Sequence, residues 1–358
     1  MSAYPATETE RRIDAHALQA FVSGLFGRCG MSDDDAALLA DTLVTADLRG
    51  CHSHGVLRVP EYVVKLRERG VDARGKPRVV SQRIAAIVVD GGNSMGQIGS
   101  AFAMRRAIEA ARDTSVAMAA VRGSNHCGAM AYFAMMALRE DMIGMAATNA
   151  LPTMAPWGGT DKILGINPLA VAIPAGSEHP IVFDAAFSAS SHGKIRVYHQ
   201  KGLSIPPGWA FTREGLPTTD SAEAIQGLLQ PIGGYKGTGL AIVMGILSSL
   251  LSGAAYGTET GNMIDGAKPG ADGHFLVAVN IAAFEDPARF KQRVDGVIRE
   301  IHASALAPGV DRVYAPGELE EVTQQRYLRE GIPLNSRTLD DLRATAQSLG
   351  LDSTGVSA

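Results

Sequence analysis

Residues 49–58, Arg-Gly-Cys-His-Ser-His-Gly-Val-Leu-Arg, form a short polar connector between two segments with helical patterns. The helix before it is predicted to start after Ser32, because a serine caps a helix N-terminus and three aspartates follow in the first turn. The helix after it is predicted to carry Pro60 at its first position and to end at Gly70. The sequence therefore predicts a loop fixed at both ends by helices, a common location for functional side chains.

The connector carries side chains that suit acid–base chemistry on a carboxylic acid. His54 can exchange a proton near neutral pH, and Ser53 can orient its ring. Arg58 has the fork of N–H donors that grips a carboxylate. The alternative is that the histidines are ordinary polar loop residues and that Arg58 caps a helix. Loop composition alone favours this alternative, so the catalytic interpretation depends on the rest of the chain.

Length and composition describe a soluble globular protein of two domains. The 358 residues exceed one typical core, and 46% hydrophobic with 20% charged residues is ordinary for such a protein. A net charge of −4 gives no basic surface for nucleic acid. The three cysteines, Cys29, Cys51 and Cys127, have no metal-ligand spacing and suit a reducing compartment.

The sequence gives no indication of secretion or of membrane insertion. Residues 1–12 are polar and charged, without the apolar segment of a signal peptide. The most apolar run, residues 240–251, is too short to span a bilayer. We therefore expect a cytoplasmic protein with neither a membrane nor a nucleic-acid partner.

Helical patterns occupy both ends of the chain, whereas short strands and helices alternate between them. Residues 75–77, Gly-Lys-Pro, have the composition of a linker. Residues 275–281 form a strand with little polarity, which predicts a central position in a sheet. The predicted domains are a helical one of residues 1–75 plus 286–358 and a sheet-containing, dinucleotide-binding one of residues 76–285.

The pattern does not predict a standard Rossmann domain. Its fingerprint, G-x-G-x-x-G, follows a strand and opens a helix, with an acidic residue about 20 positions later. Residues 234–239, Gly-Tyr-Lys-Gly-Thr-Gly, have the wrong spacing, and no acidic residue follows at the expected distance after a strand. Residue patterns alone therefore predict no nicotinamide cofactor.

The connector, followed by Pro60-Glu61-Tyr62, resembles the signature of the malate/L-lactate dehydrogenase-like oxidoreductases. These are nicotinamide-dependent 2-oxoacid reductases that lack the usual dinucleotide-binding fold. The resemblance covers residues 10–335, and the ordered set of blocks is much more specific than any one of them. The further blocks follow in the same order along the chain: Ser124-Asn125-His126-Cys127-Gly128, Gly165-Ile166-Asn167-Pro168-Leu169-Ala170, Gly193-Lys194-Ile195, Gly208-Trp209-Ala210 and Gly233-Gly234-Tyr235-Lys236-Gly237.

The resemblance implies an α/β fold in which a non-Rossmann cofactor domain, built on a mixed or antiparallel sheet, is flanked by a helical domain from both chain ends. It implies NAD as cofactor, with NADP not excluded, and a small 2-oxo acid as substrate. It also implies a two-fold homodimer. A homodimer agrees with the apolar helices predicted at residues 129–138 and 240–251, which one modest sheet does not obviously cover.

The resemblance assigns catalysis mainly to His54, oriented by Ser53, and a proton-transfer role in some relatives to His126. Arg58 would fix the carboxylate of the substrate. No metal ligand is implied. The remaining residues expected to contact substrate are Asn167, His192, Gly193 and Lys194.

The cofactor is expected to contact several separate segments. Residues 123–128 lie between a strand and a helix, where backbone N–H groups attract phosphate; an N-cap turn is the alternative. Asp184 could bind ribose hydroxyls or cap a turn, and Lys236 could meet a phosphate or stay solvated. The complete predicted set is His126, Cys127, Gly128, Asn149, Ala150, Asp184, Ala185, Ala186, Tyr235, Lys236, Arg312, Pro316, Gly317 and Glu318.

Three residues depart from the family pattern: Phe187 changes the predicted ribose pocket around Asp184, whereas Ile166 and His192 indicate an altered substrate pocket. Phe187 and Ile166 stand where relatives have threonine, and His192 stands where they have arginine. The names malate and lactate are therefore not transferred to this chain.

Alternative functions remain open at this point. A cyclic imine such as Δ1-piperideine-2-carboxylate could be the substrate, although relatives with that activity carry an aspartate in place of Lys194. A non-catalytic dinucleotide-binding homologue is also possible, but loss of Ser53, His54 or Arg58 would be its mark, and all three are present. A metal hydrolase is disfavoured because the nine histidines include no H-x-x-x-H or H-E-x-x-H pair.

Overall fold

The computed structural model describes residues 10–352. Its helices are α1 (Ala15–Arg28), α2 (Asp33–Leu48), α3 (Val59–Arg67), α4 (Gly96–Thr114), α5 (Ala131–Met135), α6 (His192–Gln200), α7 (Ser221–Gln226), α8 (Tyr235–Ser248), α9 (Pro287–His302), α10 (Glu318–Glu330) and α11 (Ser336–Ser348). Its strands are β1 (Arg11–Ile13), β2 (Arg78–Arg83), β3 (Ala86–Asp90), β4 (Val116–Ser124), β5 (Met142–Thr148), β6 (Pro152–Met154), β7 (Leu164–Gly165), β8 (Leu169–Ile173), β9 (Ile181–Ala185), β10 (Ala210–Phe211), β11 (Pro217–Thr218), β12 (Leu228–Leu229), β13 (Asp272–Asn280) and β14 (Ile332–Leu334).

A seven-stranded sheet with the order β2-β3-β4-β13-β5-β8-β9 forms the centre of the fold. The pair β3 and β4 is parallel, and the other neighbouring strands are antiparallel. This mixed sheet differs from the parallel sheet of a Rossmann domain. The predicted α/β, non-Rossmann class is therefore confirmed, and so is the central position of the apolar strand, which is β13.

The two faces of β13 are covered by different helices. Successive side chains of a strand face opposite sides of the sheet. Leu276 and Ala278 belong to the buried cluster that includes α4, whereas Phe275 and Val277 pack with Met244 of α8. Burial on both faces explains why this strand is apolar throughout rather than alternating.

Both ends of the chain contribute to one helical unit. Strand β1 pairs with β14 in an antiparallel ribbon that joins the two ends. The cores of α1, α2, α3 and α11 meet in one buried cluster, represented by Phe26, Leu43, Tyr62 and Leu342. This arrangement is of the kind expected for a helical domain built from both ends.

Helix α9 is tied to the sheet by the buried Asp295. The Asp295 carboxylate accepts hydrogen bonds from the backbone N–H groups of Gly176, Ser177 and Glu178, which lie in the turn between β8 and β9. The proposed division into residues 1–75 with 286–358 and residues 76–285 stays a prediction. The first nine and last six residues of that division lie outside the described part of the chain.

The helix predicted at residues 129–138 is shorter in the structure. It begins at Ala131, whose N–H donates to the distant Asp184 carboxylate, and it continues after Met135 as a 3-10 helix, Met136–Glu140. The first residue of α5 is fixed by a contact with a residue 53 positions away, so the local sequence pattern could not predict it. Among residues 10–352, no helix has the length and apolar character needed to cross a membrane.

Candidate active site

The connector folds around one buried carboxylate. It forms two 3-10 turns, His52–His54 and Val56–Arg58, above Asp47 of α2, whose side chain is 1% exposed. One carboxylate oxygen of Asp47 lies 2.7 Å from His52 Nδ1, and the other accepts the backbone N–H of Val56 at 2.7 Å. A Cβ atom at Gly55 would overlap the same carboxylate, so only glycine fits between the turns.

His52 supports the loop rather than the reaction. Burial would lower the pKa of His52, but the hydrogen bond to Asp47 and its negative charge raise the pKa overall. Asp47 is not among the site residues predicted from the sequence. A signal was available, because a carboxylate in the last turn of a helix opposes the helix dipole and is disfavoured without another partner.

The structure brings the predicted catalytic histidines together from distant parts of the chain. The rings of His54 and His126 are stacked, with centroids 5.8 Å apart and planes inclined by 10°. Ser53 Oγ lies 2.9 Å from His54 Nδ1, in the geometry expected for an orienting hydroxyl. Burial and the nearby Arg58 cation lower the pKa of His54 to about 4. Burial and the charges of Arg58 and His54 lower the pKa of His126 well below its usual range.

Arg58 is held in place by its own loop and helix. Its Nε donates to the Ser53 carbonyl at 2.9 Å, and Nη1 donates to the Glu61 carboxylate at 2.8 Å. Neither contact uses Nη2, so this nitrogen can meet a carboxylate from outside. The cation is near enough to lower the pKa of both His54 and His126, which locates it at the same site.

Helix α6 begins beside the connector. A Cβ atom built at Gly193 would lie 3.9 Å from Ser53 Cβ, so this predicted substrate residue adjoins the catalytic loop. The side chains on either side of Gly193 have other partners: His192 Nε2 lies 3.2 Å from the Ile225 carbonyl, and the Lys194 ammonium lies 4.7 Å from the Trp209 ring. Burial lowers the pKa of His192.

The two predicted asparagines bind backbone in this structure. Asn167 is buried; its amide nitrogen donates to the Ala241 carbonyl, and its oxygen accepts the N–H of Ala150. Asn149 donates to the Ala255 carbonyl and accepts the N–H of Gly273. These contacts give both residues a role in holding the loops around β5 and α8.

Many of the predicted cofactor residues converge at the edge strand β9. The Asp184 carboxylate accepts the N–H of Ala131 at 2.8 Å, and burial raises the pKa of Asp184 to about 6. This N–H lies at the start of α5, three residues beyond the segment 123–128 that was predicted to bind phosphate. Ala185 ends β9, and Ala186 follows it.

A second turn is attached to β9 beside Asp184. The Pro316 carbonyl accepts the N–H of Val182 at 2.9 Å, and Gly317, at φ +93°, packs against Val182 where a Cβ atom would lie 2.8 Å from its side chain. The buried Glu318 carboxylate accepts from His302 Nε2 and from the Ala315 N–H. Arg312 Nη2 lies 3.7 Å from the same carboxylate.

A cavity of about 60 Å³ lies between these segments and the connector. Its lining includes Asp184 and Val182 of β9, Ala129 before α5, Arg49 of the connector and Glu320 of α10. Elements from the helical ends and from the sheet therefore enclose it jointly.

Other predicted cofactor residues do not line this cavity. Tyr235 and Lys236 are exposed in the first turn of α8. Cys127 is buried against Met130, and burial raises the pKa of its thiol to about 12, so it is not a reactive thiolate. Within residues 10–352, no group of three or more histidine, cysteine, aspartate or glutamate side chains could hold a metal ion.

Two residues near His126 were missed by the sequence analysis. Tyr62 Oη lies 2.7 Å from His126 Nδ1, and Gln97 Nε2 donates to Tyr62 Oη at 3.1 Å. Tyr62 stands in the block that carries the family resemblance, which was its signal. Gln97 is a buried amide on α4, for which the sequence alone gave no signal.

The family model for malate/L-lactate dehydrogenase matches residues 13–343 of the chain. The chain belongs to this family. It is 36% identical to malate dehydrogenase of Pyrococcus horikoshii, over 95% of this chain and 96% of that protein. The structure of sulfolactate dehydrogenase from Methanocaldococcus jannaschii superposes with a TM-score of 0.91 at 33% identity, covering 96% of this chain and 99% of that one.

A further relative is named for a different activity. The chain is 31% identical to the Δ1-pyrroline-2-carboxylate/Δ1-piperideine-2-carboxylate reductase of Pseudomonas putida, over 95% of this chain and 98% of that protein. The resemblance found in the sequence is therefore confirmed at the level of the family, whose members act on more than one kind of substrate.

We expect Asp47→Ala to destabilise the protein by about 1–3 kcal/mol, because it leaves the buried Val56 N–H without an acceptor. The measurement is the urea unfolding midpoint at unchanged m value. Asp47→Asn should lose less, since an amide oxygen can still accept that N–H. Asp34→Ala, on the exposed first turn of α2, is the control. Equal stability of the Asp47→Ala and Asp34→Ala proteins would contradict a supporting role for Asp47.

Proposed function

We propose that this protein is an NAD(P)-dependent 2-hydroxy-acid dehydrogenase that interconverts a small 2-oxo acid and the corresponding 2-hydroxy acid. One observation carries the proposal. His54, Ser53 and Arg58 lie in one partly buried site with His126, which is more than sixty positions away in the sequence. The relatives named malate and sulfolactate dehydrogenase support this class of reaction.

The proposed roles follow from the chemistry of reducing a ketone. In that direction the carbonyl carbon gains a hydride, the C=O double bond becomes a single bond, and the oxygen takes one proton. His54 supplies the proton, and in the reverse reaction it accepts the proton from the hydroxyl group. Ser53 orients the His54 ring, and Arg58 fixes the substrate carboxylate through its free nitrogen. Gly193 leaves room for substrate beside Ser53.

A nicotinamide cofactor supplies or takes up the hydride when bound. We propose that one end of it meets the cavity at β9, where the Asp184 carboxylate, bonded to the Ala131 backbone, can also accept hydrogen bonds from hydroxyl groups. The volume of about 60 Å³ holds only a part of a dinucleotide. The remainder would be held by the other predicted residues, including His126, Cys127, Gly128, Ala186, Pro316, Gly317, Tyr235 and Lys236. NAD is proposed first, and NADP is the alternative.

Reduction of a cyclic imine is the alternative function. It is supported by the similarity of the chain to the reductase of Pseudomonas putida. It differs in the atom that receives the proton, which would be nitrogen rather than oxygen. Lys194, which argued against it in the sequence, lies against Trp209 and does not contact His54 in the structure.

A panel of 2-oxo acids and cyclic imines, each with NADH and with NADPH, tests the proposal through the absorbance of the reduced nicotinamide. We expect consumption of one reduced cofactor with at least one 2-oxo acid, and its reversal with the 2-hydroxy acid. Turnover confined to cyclic imines would favour the alternative reductase. Cofactor binding without any turnover would favour the non-catalytic homologue.

We expect His54→Gln to lower kcat by about 10²- to 10⁴-fold, the usual contribution of general acid–base catalysis. Dinucleotide affinity should stay nearly unchanged, because the cofactor cavity does not include His54. His16→Gln, at an exposed position on α1, is the matched control. Near-parental turnover of His54→Gln would remove His54 from the mechanism.

The pH profile of the parent protein gives a second readout for His54. Burial and Arg58 lower its pKa to about 4, so His54 is neutral, and able to act as a base, throughout the neutral range. For oxidation of the 2-hydroxy acid, kcat/KM should therefore fall only as the pH drops towards 4, instead of near the ordinary histidine value of about 6.5. An acid limb near 6.5 would show that another group carries the proton.

We expect Arg58→Lys to raise KM for the 2-oxo acid about tenfold or more, because a point charge replaces a planar fork. The change also removes the Nε contact to the Ser53 carbonyl, so kcat should fall as well. Arg343→Lys, on α11, is the control. Identical kinetics of Arg58→Lys and the parent protein for every 2-oxo acid tested would make Arg58 purely structural.

We also propose a homodimer located in the cytoplasm. Helix α8 and the turn that follows it expose five large apolar side chains by 42–55% each: Leu240, Val243 and Ile246 on α8, and Leu250 and Leu251 after it. A row of this kind is large for a monomer surface and suits a self-complementary contact between two copies. The cytoplasmic location rests on three free cysteines, which suit a reducing compartment.

If α8 forms the dimer contact, Val243→Glu should shift the protein to the monomer mass in sedimentation at low micromolar concentration. The parent's Tm should rise on concentrating the protein, because dissociation is coupled to unfolding. Ile84→Glu, on the exposed turn between β2 and β3, is the control for adding a charge at an exposed apolar position. A fully active parent at the monomer mass would contradict the dimer.

A further inference from the structure

A buried chain of hydrogen bonds ends on His126. Gln97 Nε2 donates to Tyr62 Oη at 3.1 Å, and Tyr62 Oη lies 2.7 Å from His126 Nδ1. Both Gln97 and Tyr62 are fully buried, so water does not compete for these groups. The backbone N–H of Gly128 points at the same ring nitrogen, His126 Nδ1, at 3.4 Å.

The directions of these bonds restrict the protonation of the ring. Tyr62 Oη accepts a hydrogen bond from Gln97, so its own hydrogen is free to be donated to His126. A backbone N–H can only donate, and a ring nitrogen that accepts it cannot carry a hydrogen of its own. Two donors therefore converge on Nδ1, which leaves the single hydrogen of the neutral ring on Nε2.

One other arrangement would connect the same groups. If the Gln97 amide were rotated by half a turn, its oxygen would accept the Tyr62 hydroxyl hydrogen, and His126 Nδ1 would have to donate to Tyr62. The N–H of Gly128 would then face another N–H. The direction of the Gly128 N–H is fixed by the main chain. It therefore disfavours the rotated amide without relying on how the Gln97 side chain is assigned.

We propose that Tyr62 and Gln97 are positioning residues that hold His126 as a neutral ring with its hydrogen on Nε2, where it donates a hydrogen bond to the reacting oxygen of the substrate. This inference rests on the proposed dehydrogenase function and assigns the two histidines different tasks. His126 stabilises negative charge that develops on the oxygen, and His54 transfers the proton. A ring already bearing hydrogen on Nε2 cannot act as a base through that atom.

The surroundings of His126 oppose its protonated form. Burial lowers its pKa, and the Arg58 cation beside it acts in the same direction. A fixed neutral donor aimed at developing charge is a recurrent source of rate enhancement, because no reorganisation is needed during the reaction.

The test is the tautomer of His126, observed in ring-¹⁵N-histidine-labelled protein by long-range ¹H–¹⁵N correlation, with His126→Gln used for assignment. We expect an unprotonated Nδ1 and a protonated Nε2 near neutral pH. Hydrogen on Nδ1, or a doubly protonated ring, would overturn the proposal. This measurement needs no substrate, so its outcome is separate from that of the proposed function.

Tyr62→Phe removes the hydroxyl donor, and we expect its His126 signals to move towards values averaged between the two tautomers. Its kcat should fall about 10- to 100-fold, the usual cost of losing a partner that orients a histidine, while KM for the cofactor changes little. Gln97→Leu should act in the same direction. Tyr327→Phe, a buried tyrosine of the helical unit, should leave both readouts at parental values.

Unchanged His126 signals in both Tyr62→Phe and Gln97→Leu would show that neither residue sets the tautomer. If Tyr62→Phe fails to fold, the Gln97→Leu protein and the parental spectrum still decide the question. A parent with the expected tautomer but no reductase activity would refute the proposed function and leave the positioning intact.

Discussion

The Asp47 carboxylate beneath the connector is the interaction on which the rest of the site depends. Its two oxygens tie His52 and the Val56 backbone to the end of α2, so both 3-10 turns keep one shape. Leaving a buried N–H unpaired costs about 1–3 kcal/mol, and this makes any other path of the loop unfavourable. Because Ser53 and His54 lie between the two tied points, their orientation follows from Asp47 although Asp47 touches neither of them.

Charge then organises the site that the loop presents. Arg58 is the cation beside two histidines whose burial already disfavours protonation. A substrate carboxylate at Arg58 would reduce this positive charge and make protonation of His54 easier than in the free protein. The substrate carboxylate thus both orients the substrate at Arg58 and raises the pKa of His54. Two rings stacked 5.8 Å apart would repel one another if both were charged, so protonation of one histidine disfavours protonation of the other.

The position of the site reflects how the chain ends pack on the sheet. His54 is carried by the helical unit, whose ends are joined through β1 and β14, whereas His126 follows the sheet strand β4. The side chain of Tyr62 extends from α3 and forms a hydrogen bond with His126. The cavity near Asp184 is likewise enclosed by α2 and α10 on one side and β9 on the other. Small changes in packing between these parts would move the proton donor relative to the substrate site.

The sequence by itself determined the local features and the family. Ser32 caps α2 and Pro60 lies in the first turn of α3, because capping and fixed φ act within a few residues. The apolar run at 275–281 was correctly placed at the centre of a sheet. The ordered blocks likewise identified His54 and Arg58 as neighbours in one short loop.

Only the tertiary structure decided what those residues meet. Asp47, Tyr62 and Gln97 act through partners up to 64 positions away, and such contacts leave no periodic pattern in the sequence. The start of α5 is likewise fixed by Asp184 of β9, whose carboxylate accepts the Ala131 N–H from 53 positions away. The physical reason is the same in each case: hydrogen bonds between distant segments exist only after burial of apolar surface has brought those segments together.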